Sequence, residues 1–295
     1  MAKTPDILCI GAVLWDIIGR SPSVMREGSD VPGRITRLPG GVALNIAMAL
    51  KGFGLSPALL TVVGQDEEGA ELIRACDALG LITDHIYRSA DLPTDRYMAV
   101  EGANGLIAAI ADAHSLEAAG AKILRPLERG TLGTDPFPGI VVLDGNLTVG
   151  LLTDIATRTH FAAADLRVAP ASPGKALRLL PFLDATRATL YVNLEEAGLL
   201  LKAPQPDATK AALALRARGA HRVSVTNSGA EAAFAWDTHI VTATPPEVLV
   251  TRVTGAGDTF MAGHISAEHA GADPETALGT ALRAAATYVS GETPF

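Results

Sequence analysis

Short, unbroken aliphatic runs alternate with longer Ala-rich stretches along most of the chain. The runs are Ile7 to Val13, Ala58 to Val63, Ile140 to Leu143, Leu166 to Ala169, Thr189 to Val192 and Arg222 to Thr226, each bounded by Gly, Pro, Asp or Asn. A strand that is apolar at every position has both faces buried, as in a parallel sheet covered by helices. Between the runs lie Leu44 to Phe53, Glu67 to Leu79, Val149 to Arg158, Gly174 to Leu180, Glu195 to Leu201, Asp207 to Arg218 and Asp258 to Ala270, all of helix-forming composition. The pattern predicts a three-layer α/β/α sandwich around a mostly parallel sheet.

Two regions break the rhythm. Residues 17–38 are punctuated by Gly19, Pro22, Gly28, Pro32 and Gly33, and residues 96–111 alternate around a tight Gly102-Ala103-Asn104-Gly105 turn. Both read as strands outside the main sheet, inserted in one domain spanning 1–295. A small protruding sheet with an uncovered apolar face would make a lid, a homodimer surface, or both. Residues 125–138, rich in Gly, Pro and mixed charge, read as a surface loop.

Composition narrows the function. With 48% apolar and 19% charged residues, the chain has the means to bury a core, which excludes disorder. A net charge of -8 argues against nucleic acid and anionic membrane surfaces, which need a cationic footprint. No segment reaches the ~18 apolar residues of a membrane span. The Ile7 to Val13 run is followed by Trp15 and Asp16 rather than small cleavage-site residues, so a cytoplasmic start is expected. Cys9 and Cys76 stand in apolar surroundings and read as buried thiols of a reducing compartment.

The chemistry concentrates in Gly-rich turns before helices. In Val253-Thr254-Gly255-Ala256-Gly257-Asp258, the amides of Gly255, Ala256 and Gly257 stand at a helix N-terminus, where an anion would be favoured. Asp258 beside them could take a proton from a hydroxyl, or could simply cap its helix. Earlier, Pro39-Gly40-Gly41-Val42-Ala43-Leu44-Asn45 pairs two glycines with an amide one turn on, either a small-molecule cradle or a flexible helix start. Asp16 follows the first strand at the end of the sheet where α/β ligands bind, unless it is only a turn residue. His264 and His269 are five apart and diverge around a helix, so no metal pair is formed, and neither a Gly-x-Ser-x-Gly elbow nor a Walker A sequence is present.

Taken together, Gly40-Gly41 with Asn45 and Gly255-Ala256-Gly257-Asp258 resemble the two signatures of the ribokinase-like, or PfkB, carbohydrate kinases. The resemblance covers nearly the whole chain. It implies a ribokinase-like fold and ATP-dependent transfer of a phosphoryl group to a sugar or nucleoside hydroxyl. Asp258 would be the base, residues 255–257 the anion hole, and Asp16, Gly40, Gly41 and Asn45 the holders of substrate hydroxyls. Asn193-Leu194-Glu195-Glu196 resembles the family's Asn-x-x-Glu element, in which Asn193 and Glu196 organise Mg2+ and phosphate through water; an acidic first turn of a surface helix is the competing reading. By the same resemblance Thr226 and Gly229 contact nucleotide phosphates, and Ala284 and Thr287 lie near adenine.

Within the family, residues 109–113, 143–147, 171–176 and 253–254 resemble the pseudouridine kinases, although the acid expected near Ala169 is missing. Asp112 and Asn146 become candidate substrate contacts if the lid folds over the strand ends; Asp112 could instead cap the turn near His114. Arg96 over the pocket would suit a carboxylated or phosphorylated sugar, unless it pairs with Asp95 or Glu101. Ribose, fructose and 2-keto-3-deoxygluconate are the rival substrates, and a non-catalytic sugar- or nucleoside-binding homologue the rival class. Arg252 replaces an acid that many members carry near a monovalent-cation site, so potassium activation is expected to be weak or absent.

Overall fold

Alternate residues of β1 (Ile7–Ile10) feed two different cores. Leu8 and Ile10 pack on one face and Ile7 and Cys9 on the other, all fully buried, which is why the strand shows no polar position. The computed structural model describes residues 5–183 and 187–294. After β1 the chain leaves the body as an antiparallel pair, β2 (Leu14–Arg20) and β3 (Arg34–Gly40), and returns through α1 (Val42–Gly52) to β4 (Pro57–Leu60) beside β1. A short strand β5 (Val62–Gly64), helix α2 (Glu67–Ala78) and strand β6 (Tyr87–Ser89) follow, with β5 and β6 paired as a separate ribbon. Strands β7 (Arg96–Gly102) and β8 (Gly105–Asp112) then complete a four-stranded sheet of order β3-β2-β7-β8.

The second half builds the main sheet. Helices α3 (His114–Ala119) and α4 (Arg125–Glu128) lead to β9 (Ile140–Asp144), α5 (Val149–Thr157), β10 (Asp165–Ala169) and β11 (Thr189–Asn193). Next come α6 (Leu194–Leu201), α7 (Ala208–Ala217), β12 (Arg222–Thr226), β13 (Ala232–Trp236) and β14 (His239–Ala243). Helices α8 (Ala256–His269) and α9 (Pro274–Val289) close the domain. The main sheet runs β14-β13-β12-β11-β10-β9-β1-β4, parallel from β12 to β4 and antiparallel at β13 and β14. Side chains of α1, α2, α8 and α9 line one core and those of α3 to α7 the other, giving the expected three layers.

The aliphatic runs overstate strand length. Ile7 to Val13 ends as a strand at Ile10, because Gly11 turns the chain and Ala12 gives its N–H to Asp144 rather than to a ladder. Ala58 to Val63 is two strands, β4 in the main sheet and β5 in the ribbon. Residues 125–138 are more than a surface loop: α4 lies within them, and Leu127, Leu132 and Phe137 are buried in the core. Residues 173–182 form a 3-10 helix rather than an α-helix, with Pro181 inside it. No helix among the described residues is long and apolar enough to cross a membrane.

Candidate active site

The carboxyl ends of β1 and β9 meet around one buried carboxylate. Asp144, at the end of β9, accepts from the N–H groups of Ala12 (2.8 Å), Ala43 (3.0 Å) and Asn146 (2.7 Å). It thereby ties the loop after β1, the first turn of α1 and the loop after β9 into one rigid rim. Burial raises its pKa, and the three donors oppose that shift. Asp144 was not among the expected site residues. Its signal was a lone acid closing an apolar strand, which the sequence does not distinguish from a turn residue.

Asp16 stands on this rim beside Gly40. A Cβ on Gly40 would fall inside the Asp16 carboxylate, so only glycine permits the approach. Burial pushes the Asp16 carboxyl up to about 6. Gly41 is the N-cap of α1, and one turn later Asn45 Nδ2 donates to Asp258 Oδ2 at 2.9 Å. The structure thus brings Asp16, Gly40, Gly41, Asn45 and Asp258 together from opposite ends of the chain. Asp258 is half-buried in the first turn of α8. Burial, with smaller contributions from Asp144 and Asp16, lifts its pKa to about 7 against the lowering effect of Asn45.

The turn before Asp258 has a defined geometry. Ala256 N–H donates to the Val253 carbonyl at 3.1 Å, and Gly255 has φ 91° and ψ -4°, the third position of a type II turn. Tyr288 closes the turn from outside by donating to the Thr254 carbonyl at 3.0 Å. This corrects the expected trio of amides. The Ala256 N–H is already engaged inside the turn, which leaves the N–H groups of Gly255 and Gly257 for an incoming anion.

Strand alternation separates the remaining sugar-side candidates. Asp16 pairs across the small sheet with Leu38 and Tyr97, so these three side chains share a face. Arg96 and Asp112 pair with each other and with Trp15, on the opposite face. Arg96 there forms an ion pair with Glu68 at 2.8 Å, not with Asp95 or Glu101, and so it does not stand over the Asp16 pocket. Asp112 binds His114 Nδ1 (2.8 Å) and does not cap α3. Asp95 holds that helix start instead, accepting from Ser115 N–H (3.0 Å) and Leu116 N–H (2.9 Å). Asn146 does remain at the rim, buried, with its Oδ1 accepting from Lys175 Nζ. Lys175 was not anticipated as a site residue; it is half-buried, and burial lowers its pKa.

On the other side of the mouth a cleft of about 870 Å³ opens between the ends of β11 and β12, lined in part by Asn193, Glu195, Thr226, Asn227 and Ser228. Asn193 and Glu196 form a capping box at the start of α6: Asn193 Oδ1 accepts from Glu196 N–H (2.9 Å), and Glu196 Oε2 from Asn193 N–H (2.8 Å). Glu196 is buried, committed by one oxygen to the backbone, and does not itself line the cleft, where Asn193 and Glu195 do, so it could reach a magnesium ion only through water. No group of three His, Cys, Asp or Glu among the described residues is placed to cage a metal. An ion here would bring its other ligands from phosphate and water. Gly229 lies in the exposed turn after Thr226 and does not line the cleft, whereas Asn227 and Ser228 do. Nor do Ala284 and Thr287 line it; Ala284 is buried against Gly263 in the packing of α9 on α8.

Fold and site together define a class, an α/β enzyme with a half-buried carboxylate beside a type II turn at the mouth of a parallel sheet and a cleft at the ends of the neighbouring strands. The model of the pfkB family carbohydrate kinases matches residues 4–293, and the chain belongs to that family. It is therefore an ATP-dependent phosphotransferase acting on a sugar or nucleoside. The chain is 27% identical to the pseudouridine kinase of Escherichia coli over 89% of its own length and 83% of that protein's. It superposes on a carbohydrate kinase from Agrobacterium tumefaciens with a TM-score of 0.82 at 25% identity, covering 98% and 92% of the two chains. Arabidopsis thaliana ribokinase complexed with ribose and ATP gives a TM-score of 0.75 at 19% identity, covering 97% and 93%.

Proposed function

We propose that this kinase phosphorylates the 5′-hydroxyl of pseudouridine, with Asp258 as the base. The observation that carries the mechanism is the convergence of Asp258, Asn45 and Asp16 beside the type II turn at Gly255. Asp16 and Asn45 hold the ribosyl hydroxyls. Asp258 Oδ takes the proton as the hydroxyl oxygen attacks the terminal phosphorus, and the N–H groups of Gly255 and Gly257 receive the charge that develops on the transferred group. Magnesium carried by the triphosphate would neutralise its negative charge, with Asn193 and Glu196 orienting the ion's waters. The small sheet, closing over the mouth, excludes water and so protects the nucleotide from hydrolysis.

The choice of pseudouridine rests on the E. coli relative and on the Asn146–Lys175 pair, which offers a donor and an amide to the carbonyl and N–H edge of a base. A carboxylated sugar is less well supported, since Arg96 is paired with Glu68 on the far face. Purified protein with magnesium ATP and a panel of pseudouridine, uridine, ribose, fructose and 2-keto-3-deoxygluconate tests the reading. Highest kcat/KM for pseudouridine, with a KM raised by Lys175→Ala, is expected. Preference for a free sugar would move the substrate elsewhere in the family, and no turnover with any would make the chain a binding protein.

The face of the small sheet opposite Asp16 carries Ile35, Met98 and Ile110, exposed by 78%, 48% and 64%. It supports a homodimer through the lid, which sedimentation of wild type against Ile110→Lys would test. Buried, unpaired Cys9 and Cys76 support a reducing, cytoplasmic setting.

A further inference from the structure

A second cavity, of about 450 Å³, lies between the β6 segment and the chain around α4, and shares no lining residue with the site above. Its walls include Arg88, Lys122, Arg125 and Arg129, with Asp84 as the one carboxylate. None of the four cations forms an ion pair with a carboxylate among the described residues; Arg88 is half-buried, and Lys122, Arg125 and Arg129 are exposed around the hollow. The neighbouring acid that could have neutralised them, Glu128, is already bound to Arg158 at 2.7 Å. In a chain of net charge -8, four like charges facing one hollow repel one another and favour an anion between them.

The groove is also preorganised. Arg88 Nε donates to the Gly64 carbonyl at 3.1 Å, which fixes its fork, and the Arg125 guanidinium stacks over Tyr87 with its carbon 5.4 Å from the ring centroid. Guanidinium groups held this way match phosphate oxygens in pairs. The cavity is too small for a macromolecular ligand and large enough for a phosphorylated sugar or a nucleotide. Both walls are rooted at one place. Gly64 N–H donates to Thr94 Oγ1 (3.2 Å), and the chain carrying Lys122 and Arg125 starts from α3, whose first N–H groups bind Asp95. Thr94 and Asp95 directly precede β7 of the small sheet.

We propose that this groove is a second anion site, which binds a small phosphorylated compound through Arg88, Lys122, Arg125 and Arg129. Phosphate is the shared chemistry of two sources, a sugar phosphate and a nucleotide, and the experiment separates them.

The full-length protein is treated with phenylglyoxal in the presence of inorganic phosphate, ribose 5-phosphate or AMP at constant ionic strength, and arginine modification is followed peptide by peptide by mass spectrometry. This local readout is blind to phosphate bound at Asp258. Saturable, several-fold slower modification of Arg88, Arg125 and Arg129, with Arg26 in the β2–β3 connection unaffected, is expected. Tighter protection by ribose 5-phosphate identifies a sugar phosphate and tighter protection by AMP a nucleotide, while equal protection by all three supports recognition of the phosphate alone. Arg125→Ala with Arg129→Ala should weaken protection of Arg88 roughly tenfold or more. Lys122→Ala, a milder change, should weaken it in the same direction if the double variant does not fold. Unchanged modification in every arm, a decrease matched by sodium chloride at the same ionic strength, or full protection of Arg88 in the variants overturns the proposal.

Discussion

Asn45 Nδ2 and Asp258 Oδ2 meet at 2.9 Å across 213 residues of sequence, joining the first turn of α1 to the first turn of α8. The bond stabilises the charged form of Asp258, and burial disfavours that form more strongly, so the pKa rests at about 7. A base works only when deprotonated. Hence kcat/KM should fall as pH drops through about 7, with Asp16, at about 6, adding to the loss at lower pH. Asn45→Ala removes the opposing donor and should move the profile upward in pH while lowering activity at pH 7. Initial rates from pH 5.5 to 9 check the direction; a profile that shifts downward, or stays where it is, contradicts the base assignment.

The same carboxylate costs stability. Its folded pKa is raised above the unfolded value, so its favourable contribution is complete below about 4 and is lost as pH rises through about 7. Asp258→Asn keeps an oxygen for Asn45 without the buried charge. At pH 8 the variant should be more stable by on the order of 1–3 kcal/mol and so unfold at a higher temperature, and at pH 4 the difference should nearly vanish. Turnover should drop roughly 10²- to 10⁴-fold. Thermal melts at the two pH values, with single-turnover rates, measure both halves.

Gly255 serves the turn in two ways: its φ of 91° is accessible at low cost only to glycine, and a Cβ there would stand 2.5 Å from Tyr288 Oη. Gly255→Ala is expected to cost about 1–3 kcal/mol and to lower kcat by displacing Asp258. Adding Tyr288→Phe removes the closest contact, leaving ring carbons at 3.0 and 3.2 Å and the backbone strain, so the double variant should recover only part of the loss. Full recovery of kcat would show that the backbone conformation is unimportant.

Arg252 occupies the end of α9 with its own charge. Its guanidinium stacks 3.7 Å from the centre of the Tyr288 ring and donates to the carbonyls of Tyr288 (2.7 Å) and Glu292 (3.0 Å). A cation fixed on these oxygens repels a free one and complements the helix dipole. Exchanging sodium for potassium at constant ionic strength should therefore leave kcat unchanged. A clear rise in potassium would show that a monovalent ion binds despite Arg252.

The main sheet was legible because its parallel strands are buried on both faces, and a run such as Ile140 to Leu143 has no other economical reading. β13 and β14 were not, since Ala232 to Trp236 is short and Ala-rich and its neighbour His239 to Ala243 is half-polar. The contrast recurs in the site. Gly40, Asn45 and Asp258 sit in motifs whose spacing is local, whereas Asp144 and Lys175 acquire their places only through partners 132 and 29 residues away. Arg96 and Asp112 were placed at the pocket because both lie in the lid hairpin expected to fold over the strand ends. Their face is fixed by the pairing of β2 with β7, and a register is not visible in one strand alone.

The far end of α8 shows how the sheet holds the helix that carries Asp258. Glu268, three turns on, accepts from Arg167 of β10 and Arg222 of β12, and Arg167 also donates to Tyr191 Oη at 2.9 Å. Tyr191 in turn lies 2.9 Å from His264 Nδ1. Burial works to raise the Glu268 pKa, but Arg167, His264 and Arg222 hold it below the usual glutamate value. The sign follows: a depressed folded pKa contributes stability above about 4.5, lost as pH falls through the still lower folded value. Removing the carboxylate strands Arg167, which is almost wholly buried and keeps only Asp165 as an acidic partner. Glu268→Ala should thus cost about 3 kcal/mol at pH 7, and the deficit should shrink toward pH 3 as wild type loses the same interaction. Urea unfolding at the two pH values measures it. A deficit that is equal at both would mean that packing of the side chain, and not its charge, anchors α8 to the sheet.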